Sequence, residues 1–482
     1  MKPGKAIGWA VTIMLVLSVM TACGGQNAET ASAESTGTQS APATSELTGA
    51  ADGAVYYVAT DGSDSNPGTL EQPWRTIQKA ADTAAAGDTV YVRGGTYNEK
   101  VVFPVSGQEG APITFSSYKD EVPVLDGEGI EVSGDDTENA LLAIADKSYI
   151  RIQGFSVTNY VSDTACVPAG IRVMGAGTGI EILNCRVYGI RTTYTDEEDM
   201  DRNAHGIAVY GTNGDAPLDG VVIDGCEVYD NTLGWSESVV LNGNVTNFRV
   251  TNNRIHDNDN IGIDFIGFED TASANDQARD GVCSGNEVWN ISSASNKAYA
   301  GDICADGIYV DGGRNIIIEQ NRVWNCDIGI EAASEHGGRT TEYITIRNNV
   351  IYGCKAVAGI AFGGYDEERG SAEHILIYNN TMYDNTPNIL IQYYCQSDTN
   401  VIRNNIFWKG VDFEGDTSNI VISNNLTEDP LFADEAAADF HLTEGSPALD
   451  AGAADENCGG LDIEGKPRLA GGTVDCGAYE RQ

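Results

Sequence analysis

The sequence predicts an all-β chain wound as a single-stranded, right-handed parallel β-helix, a solenoid with an N-terminal helix cap. Three features carry that expectation: a short strand unit that recurs along the chain, a column of asparagines inside it, and a second strand that opens with Gly-Ile. The unit reads ILNCRVY at 182–188, VIDGCEVY at 222–229, VTNNRIH at 250–256, CSGNEVW at 283–289 and IEQNRVW at 318–324. It returns as IRNNVIY at 346–352, IYNNTMY at 377–383 and VIRNNIFW at 401–408. The spacing varies over roughly 25 to 40 residues, as coils with unequal loops do.

Stacking these units aligns Asn253, Asn286, Asn321, Asn349, Asn380, Asn405 and Asn425, so that each amide can bond its neighbours and fix a tight bend. Cys185 and Cys226 take that position in two earlier coils, which marks them as stacked structural residues or a disulfide rather than reactive thiols. Beside the asparagines runs an aromatic column of Tyr188, Tyr229, His256, Trp289, Trp324, Tyr352, Tyr383 and Trp408. The second strand is GIAV at 206–209, GIDF at 262–265, GIYV at 307–310, GIEA at 329–332 and GIAF at 359–362. Such strands cannot close a sheet alone, but stacked they bury a continuous core. A β-propeller would need four strands per blade and a longer, more regular period.

Residues 1–22 have the order of a secretory signal: Lys2 and Lys5, an apolar run, then small residues before Cys23. The run is too short to span a bilayer. Residues 23–52, rich in Ser, Thr, Ala, Gly and Glu, read as a flexible linker. The β-helix is assigned to 53–410, and the final coils with a tail segment to 411–482. Near its start, YYVATDGSDSNPGT at 56–69, PWRTIQKAA at 73–81 and GDTVYVRGGTY at 87–97 read as strand, loop, short helix and strand. The helix would cover the open end of the solenoid.

With 71 acidic residues against 28 Lys and Arg, the formal net charge is -43. Nucleic acid is therefore excluded as a partner. An acidic polysaccharide would be repelled unless cations bridged it, whereas a neutral glycan needs no bridge. Of the 11 cysteines, ten follow Cys23, an even set that an exported chain can pair. Cys458 with Cys476, and Cys283 with Cys304, are reasonable pairs, the connectivity remaining open.

The segment MTAC at 20–23 resembles the lipobox of bacterial lipoproteins, which implies that Cys23 is acylated and anchors the chain on a membrane's outer face. The opening at 56–97 resembles that of pectate-lyase-like β-helix proteins, which include a lyase family acting on polygalacturonate and several glycosidase families. FHLTEGSPALDAG at 440–452 and VDCGAYE at 474–480 resemble the tail of many such surface proteins. The resemblance spans nearly all of the mature chain. It implies a monomeric enzyme that cleaves a polysaccharide; a noncatalytic glycan-binding or adhesion protein is the alternative.

In a strand the residues flanking an inward Ile point outward, so the Gly-Ile strands expose Asp264, Tyr309 with Asp311, and Glu331 with Ala333 on one flank. With rungs about 4.8 Å apart and alternate residues about 6.7 Å apart, Asp311 lies roughly 8 Å from both Asp264 and Glu331. Glu335 and His336 continue the Glu331 strand, His205 begins the Gly206 strand, and Glu237 and Asn242 lie on the coil between. A hydrolase would use Asp311 as acid and Asp264 or Glu331 as base. A lyase would use Asp264, Asp311 and Glu331 to hold Ca²⁺ and neutralise a substrate carboxylate. The resembling lyases have a Lys as base beside an Asp-rich Ca²⁺ site; here Lys297 and Lys355 fall in loops, leaving Arg314 or Arg339 as substitutes. Solvated surface acids are the alternative explanation in so acidic a chain, and the company of His336, Tyr309 and Phe268 counts against it. Residues 196–201, and Asp61, Asp64 and Asn66, read as a solvated acidic loop and an N-terminal turn rather than cation sites.

Overall fold

The computed structural model describes residues 53–133, 136–194 and 202–482. The signal segment 1–22, Cys23, the linker 23–52 and the acidic stretch 196–201 lie outside the described residues. Three parallel sheets, one strand of each per coil, wind into a right-handed β-helix. A long sheet starts at Val55–Val58 and ends at Val421–Ser423. An aromatic sheet runs from Gly95–Tyr97 to Ile406–Gly410, and a third, the site sheet, from Val101–Val102 to Phe413–Gly415.

Inward residues meet their own kind on the next rung. In the long sheet Ile182, Ile223, Val250, Cys283, Ile318, Ile346, Ile377 and Ile402 pair in sequence. Ile207, Val239, Ile263, Ile308, Ile330, Ile360 and Ile389 do so in the site sheet. All are buried, and they form one core along the axis. Apolar burial contributes on the order of 2 kcal/mol per such side chain.

The asparagine column is a bonded ladder at the bend between the long and aromatic sheets. Asn321 shows the pattern. Its Nδ2 donates to Asn349 Oδ1 and to the Cys283 carbonyl, both at 3.0 Å, while its Oδ1 accepts from the backbone N and the Nδ2 of Asn286 at 2.9 Å. The same amide-to-amide bond links Asn253 through Asn425 at 2.9–3.0 Å. The residue before each ladder position lies in the left-handed region, as at Asn252 (φ 55°), Gln320 (59°) and Asn348 (55°). That conformation suits Asn and Gly, which explains the paired Asn-Asn of the sequence unit.

Cys185 and Cys226 stack at the ladder's upper end as free, hydrogen-bonded thiols, and the other cysteines among the described residues are free as well. The expected disulfides are not formed. Cys283 faces the core of the long sheet while Cys304 is exposed on a loop, and Cys458 and Cys476 pack into different apolar clusters.

The aromatic column stacks ring on ring, with His256 between Tyr229 and Trp289 at 5.1 and 4.1 Å, and Trp289 on Trp324 at 4.8 Å. Its last members, Tyr352, Tyr383 and Trp408, are covered by the segment after 424, whose Phe432, Phe440 and Tyr479 pack on them. At the other end the expected helix spans Ile77–Ala81, with Thr76 as N-cap. Gln78 accepts from Val102 N at 2.8 Å and donates to its carbonyl at 3.0 Å, so one side chain pairs the open edge of the site sheet. Among the described residues no helix is long and apolar enough to cross a membrane.

Replacing Asn321 by Ala strips partners from Asn286, Asn349 and the Cys283 carbonyl at once, an expected cost of about 2–4 kcal/mol. Urea unfolding monitored by circular dichroism reads this. A loss under about 0.5 kcal/mol would show the ladder to be passive.

Candidate functional site

The outer faces of the sheets differ. Thr340–Arg347 of the long sheet alternates buried and partly exposed residues, whereas every residue of Asp306–Asp311 and Ile328–Ala333 in the site sheet is buried. Loops fold over this sheet and leave a cleft of about 1490 Å³ between them.

The glycines of the Gly-Ile strands set which side chains reach that cleft. A Cβ on Gly206, Gly262, Gly307, Gly329 or Gly359 would lie 2.4–2.7 Å from a carbonyl oxygen of the next coil. Only glycine fits, and the residue before it is turned outward. His205 and Asp306 occupy that position and line the cleft. On the floor, register places Asp264 beside Tyr309 and Tyr309 beside Glu331, with Asp311 beside Ala333. Asp311 and Glu331 are thus one rung and two residues apart, roughly 8 Å between backbone positions.

Among the described residues nine carboxyl groups line the cleft: Glu237, Asp264, Glu269, Asp302, Asp306, Asp311, Glu331, Glu335 and Asp416. Two guanidinium groups, Arg172 and Arg369, stand among them, and no lysine does. Burial is the main force on these acids. It holds Asp264, Asp306, Asp311 and Glu237 well above the carboxylate range, each reinforced by neighbouring carboxylates. Glu331 is also raised by burial, but hydrogen bonds from Asp306 and Gln392 favour its ionised form; Gln392 Nε2 donates to Glu331 Oε1 at 2.6 Å. Glu335 is pushed up to about 7 by burial, against the pull of Arg369. Asp311 Oδ1 accepts from the Glu335 backbone N at 2.8 Å.

His205 is buried and held neutral, lowered to about 3 by desolvation and by Arg172. It shares a 3.2 Å hydrogen bond with the Tyr210 hydroxyl, and its 3.5 Å approach to Glu237 is a contact of two uncharged groups rather than an ion pair.

Most of the expected residues converge here; several do not. Glu335 and His336 leave the strand, which ends at Ala333, and turn back over the floor, so that His336 Nε2 comes 3.9 Å from Asp311. Asn242 is buried and anchors Glu269 by a 2.7 Å bond instead of facing the cleft. Arg314 begins Arg314–Glu319 of the long sheet, pairs with Glu342 at 3.3 Å, and is remote from the cleft because its strand lies on another flank. Arg339 covers the Phe268 ring at 5.0 Å, and neither lines the cleft. Lys297 lines a smaller cavity and Lys355 pairs with Asp384.

Asp264, Asp311 and Glu331 do not converge as one ligand set. Among the described residues the trio whose ligand atoms all lie within 4.8 Å of one another is Glu269, Asp311 and His336, which offers an imidazole where Ca²⁺ prefers oxygen. The expected Ca²⁺ ligands Asp264, Asp311 and Glu331 are therefore not that cluster. Asp306 was missed in the sequence although it precedes Gly307 as His205 precedes Gly206. Glu269, Arg369 and Gln392 come from loops outside any repeat, where no periodic signal exists.

The family model for the "Pel9A-like, right handed beta helix region" matches residues 56–405. The uncharacterized protein YwoF of Bacillus subtilis is 38% identical over 442 residues, covering 82% of this chain and 92% of that protein. Pectate lyase PEL9 of Emericella nidulans is 35% identical over 115 residues, 22% of this chain and 28% of that protein. Among solved structures, pectate lyase Pel9A superposes with a TM-score of 0.56 at 17% identity, covering 90% of this chain and 98% of that one. The chain belongs to the Pel9A-like family of right-handed β-helix proteins.

Proposed function

We propose that the chain is an exported, lipid-anchored enzyme that hydrolyses glycosidic bonds of a polysaccharide, with Asp311 as general acid and Glu331 as general base. The observation that carries this reading is a pair of buried carboxyls, a rung apart on the cleft floor, whose surroundings push them apart in acidity. Asp311, crowded by Glu335 and desolvated, keeps its proton for the leaving oxygen. Glu331, held by Gln392 and Asp306, ionises first and is suited to take a proton from water. Their backbone positions, roughly 8 Å apart, let the two carboxyls stand on either side of a sugar with room for a water, as inversion requires. Tyr309 lies beside both, and Tyr365 and Tyr299 line the walls. Export and anchoring are supported by the signal segment and by MTAC at 20–23.

A lyase is the second reading, favoured by the local match to a pectate lyase. β-Elimination needs a base for the α-proton of a uronate, and the cleft offers two arginines and no lysine. The same cleft would repel a polyuronate.

Incubated with a panel of polysaccharides, the full-length chain is expected to release reducing ends without ultraviolet-absorbing unsaturated products. Unsaturated product would establish the lyase instead. Asp311→Asn and Glu331→Gln are each expected to lower kcat by about 10²- to 10⁴-fold with unchanged circular dichroism. Full activity in both would remove the assignment. The kcat/KM profile is expected to be bell-shaped, its acid limb set by Glu331 above the ordinary Glu value and its alkaline limb by deprotonation of Asp311. In Glu331→Gln, residual activity is expected to lose the acid limb alone.

A further inference from the structure

Among the described carboxyls of the cleft, Asp264 and Asp306 each carry an oxygen with no partner. Asp264 and Asp306 are 2% and 3% exposed, and both line the cleft. The Oδ1 atom of each is buried without a hydrogen-bond partner. Unsatisfied buried acceptors cost about 1–3 kcal/mol each, so they call for a donor the protein does not itself supply. Neither guanidinium group described in the cleft, Arg172 or Arg369, donates to these two oxygens.

We propose that Asp264 and Asp306 form a subsite for the protonated amine of an amino sugar, so that the substrate is a glycan carrying free amino groups. This rests on the hydrolase reading for its reaction, but not for its binding. Several features agree on the choice of ligand. An ammonium has three donors and one positive charge, and the cleft presents orphaned acceptors on carboxyls that can ionise to balance it. Asp306 also bonds Glu331, and Asp264 lies beside Tyr309, whose other neighbour across the rungs is Glu331, so both carboxyls flank the base. An N-acetylated sugar would offer one amide donor and no charge, and a uronate would add another carboxyl to an already crowded set. Because burial keeps these carboxyls protonated in the empty cleft, seating an ammonium would ionise one and release its proton.

The test is calorimetric titration of the full-length chain with glucosamine and galactosamine oligosaccharides, their N-acetylated counterparts, and oligogalacturonate, all in EDTA. Free-amine oligomers are expected to bind at least tenfold tighter than the acetylated forms. Release of about one proton per site should follow from the dependence of the heat on buffer ionisation. The preference should vanish in Asp264→Asn with Asp306→Asn. Should that double variant not fold, the preference of the native chain for free-amine over acetylated oligomers decides alone. Equal or tighter binding of acetylated or uronate oligomers would overturn the subsite, as would binding that appears only when a divalent cation replaces EDTA. Amine binding without new reducing ends would keep the subsite and remove hydrolysis; reducing ends from neutral or acidic glycans alone would do the reverse.

Discussion

The in-register hydrogen bonding of parallel rungs is the constraint on which everything else in the molecule depends. It repeats each inward residue about 4.8 Å further along the axis and turns a chain of short, individually unstable strands into one continuous core. The asparagine ladder fixes that register where the chain turns. Each amide joins its own coil to the next through side-chain and backbone bonds, so a slip of one residue would break both at once. The glycines of the site sheet act on the opposite flank. They allow a carbonyl to approach where any Cβ would clash, and so bring the strands close enough to share a wall.

On that wall the protein holds an arrangement that opposes stability. Acids from separate coils stand together in a desolvated cleft with few cations to offset them. Crowding carboxyls in low dielectric disfavours ionisation, and the graded hydrogen bonding around them separates one acid from the next. Asp311 and Glu331 are both desolvated, but they differ because Asp311 is crowded by the Glu335 charge while Glu331 accepts side-chain hydrogen bonds from Asp306 and Gln392. Stiff rungs keep these groups from relaxing apart. The same rigidity that makes the core cohesive therefore sustains a site that a softer scaffold would neutralise by moving.

The solenoid was legible because its signals are local and periodic. Asn-Asn before an apolar pair gives the left-handed bend and the ladder, and Gly-Ile marks the strand of the third sheet; both were read directly from residues such as Asn348, Asn349 and Gly329. Asp264, Asp311 and Glu331 were legible by the same rule, since alternation along a strand dictates which way they point. Arg314 was misplaced because it begins a strand on another sheet, and spacing alone does not say which flank a new strand joins. The cysteines misled for a similar reason: bracketing a segment in sequence says nothing about whether two thiols face each other.

What the sequence by itself determined is the repeating framework: coil order, the inward and outward sense of each strand, the bends, and the file of acids down one flank. These follow from short-range rules of stereochemistry and strand alternation. What only the tertiary structure decided is the environment of those acids. Glu269, Arg369 and Gln392 arrive on loops of irregular length, close the cleft and set which carboxyl is crowded, bonded or left without a partner. Desolvation and long-range contact depend on distances between residues far apart in the chain, and no local pattern encodes them.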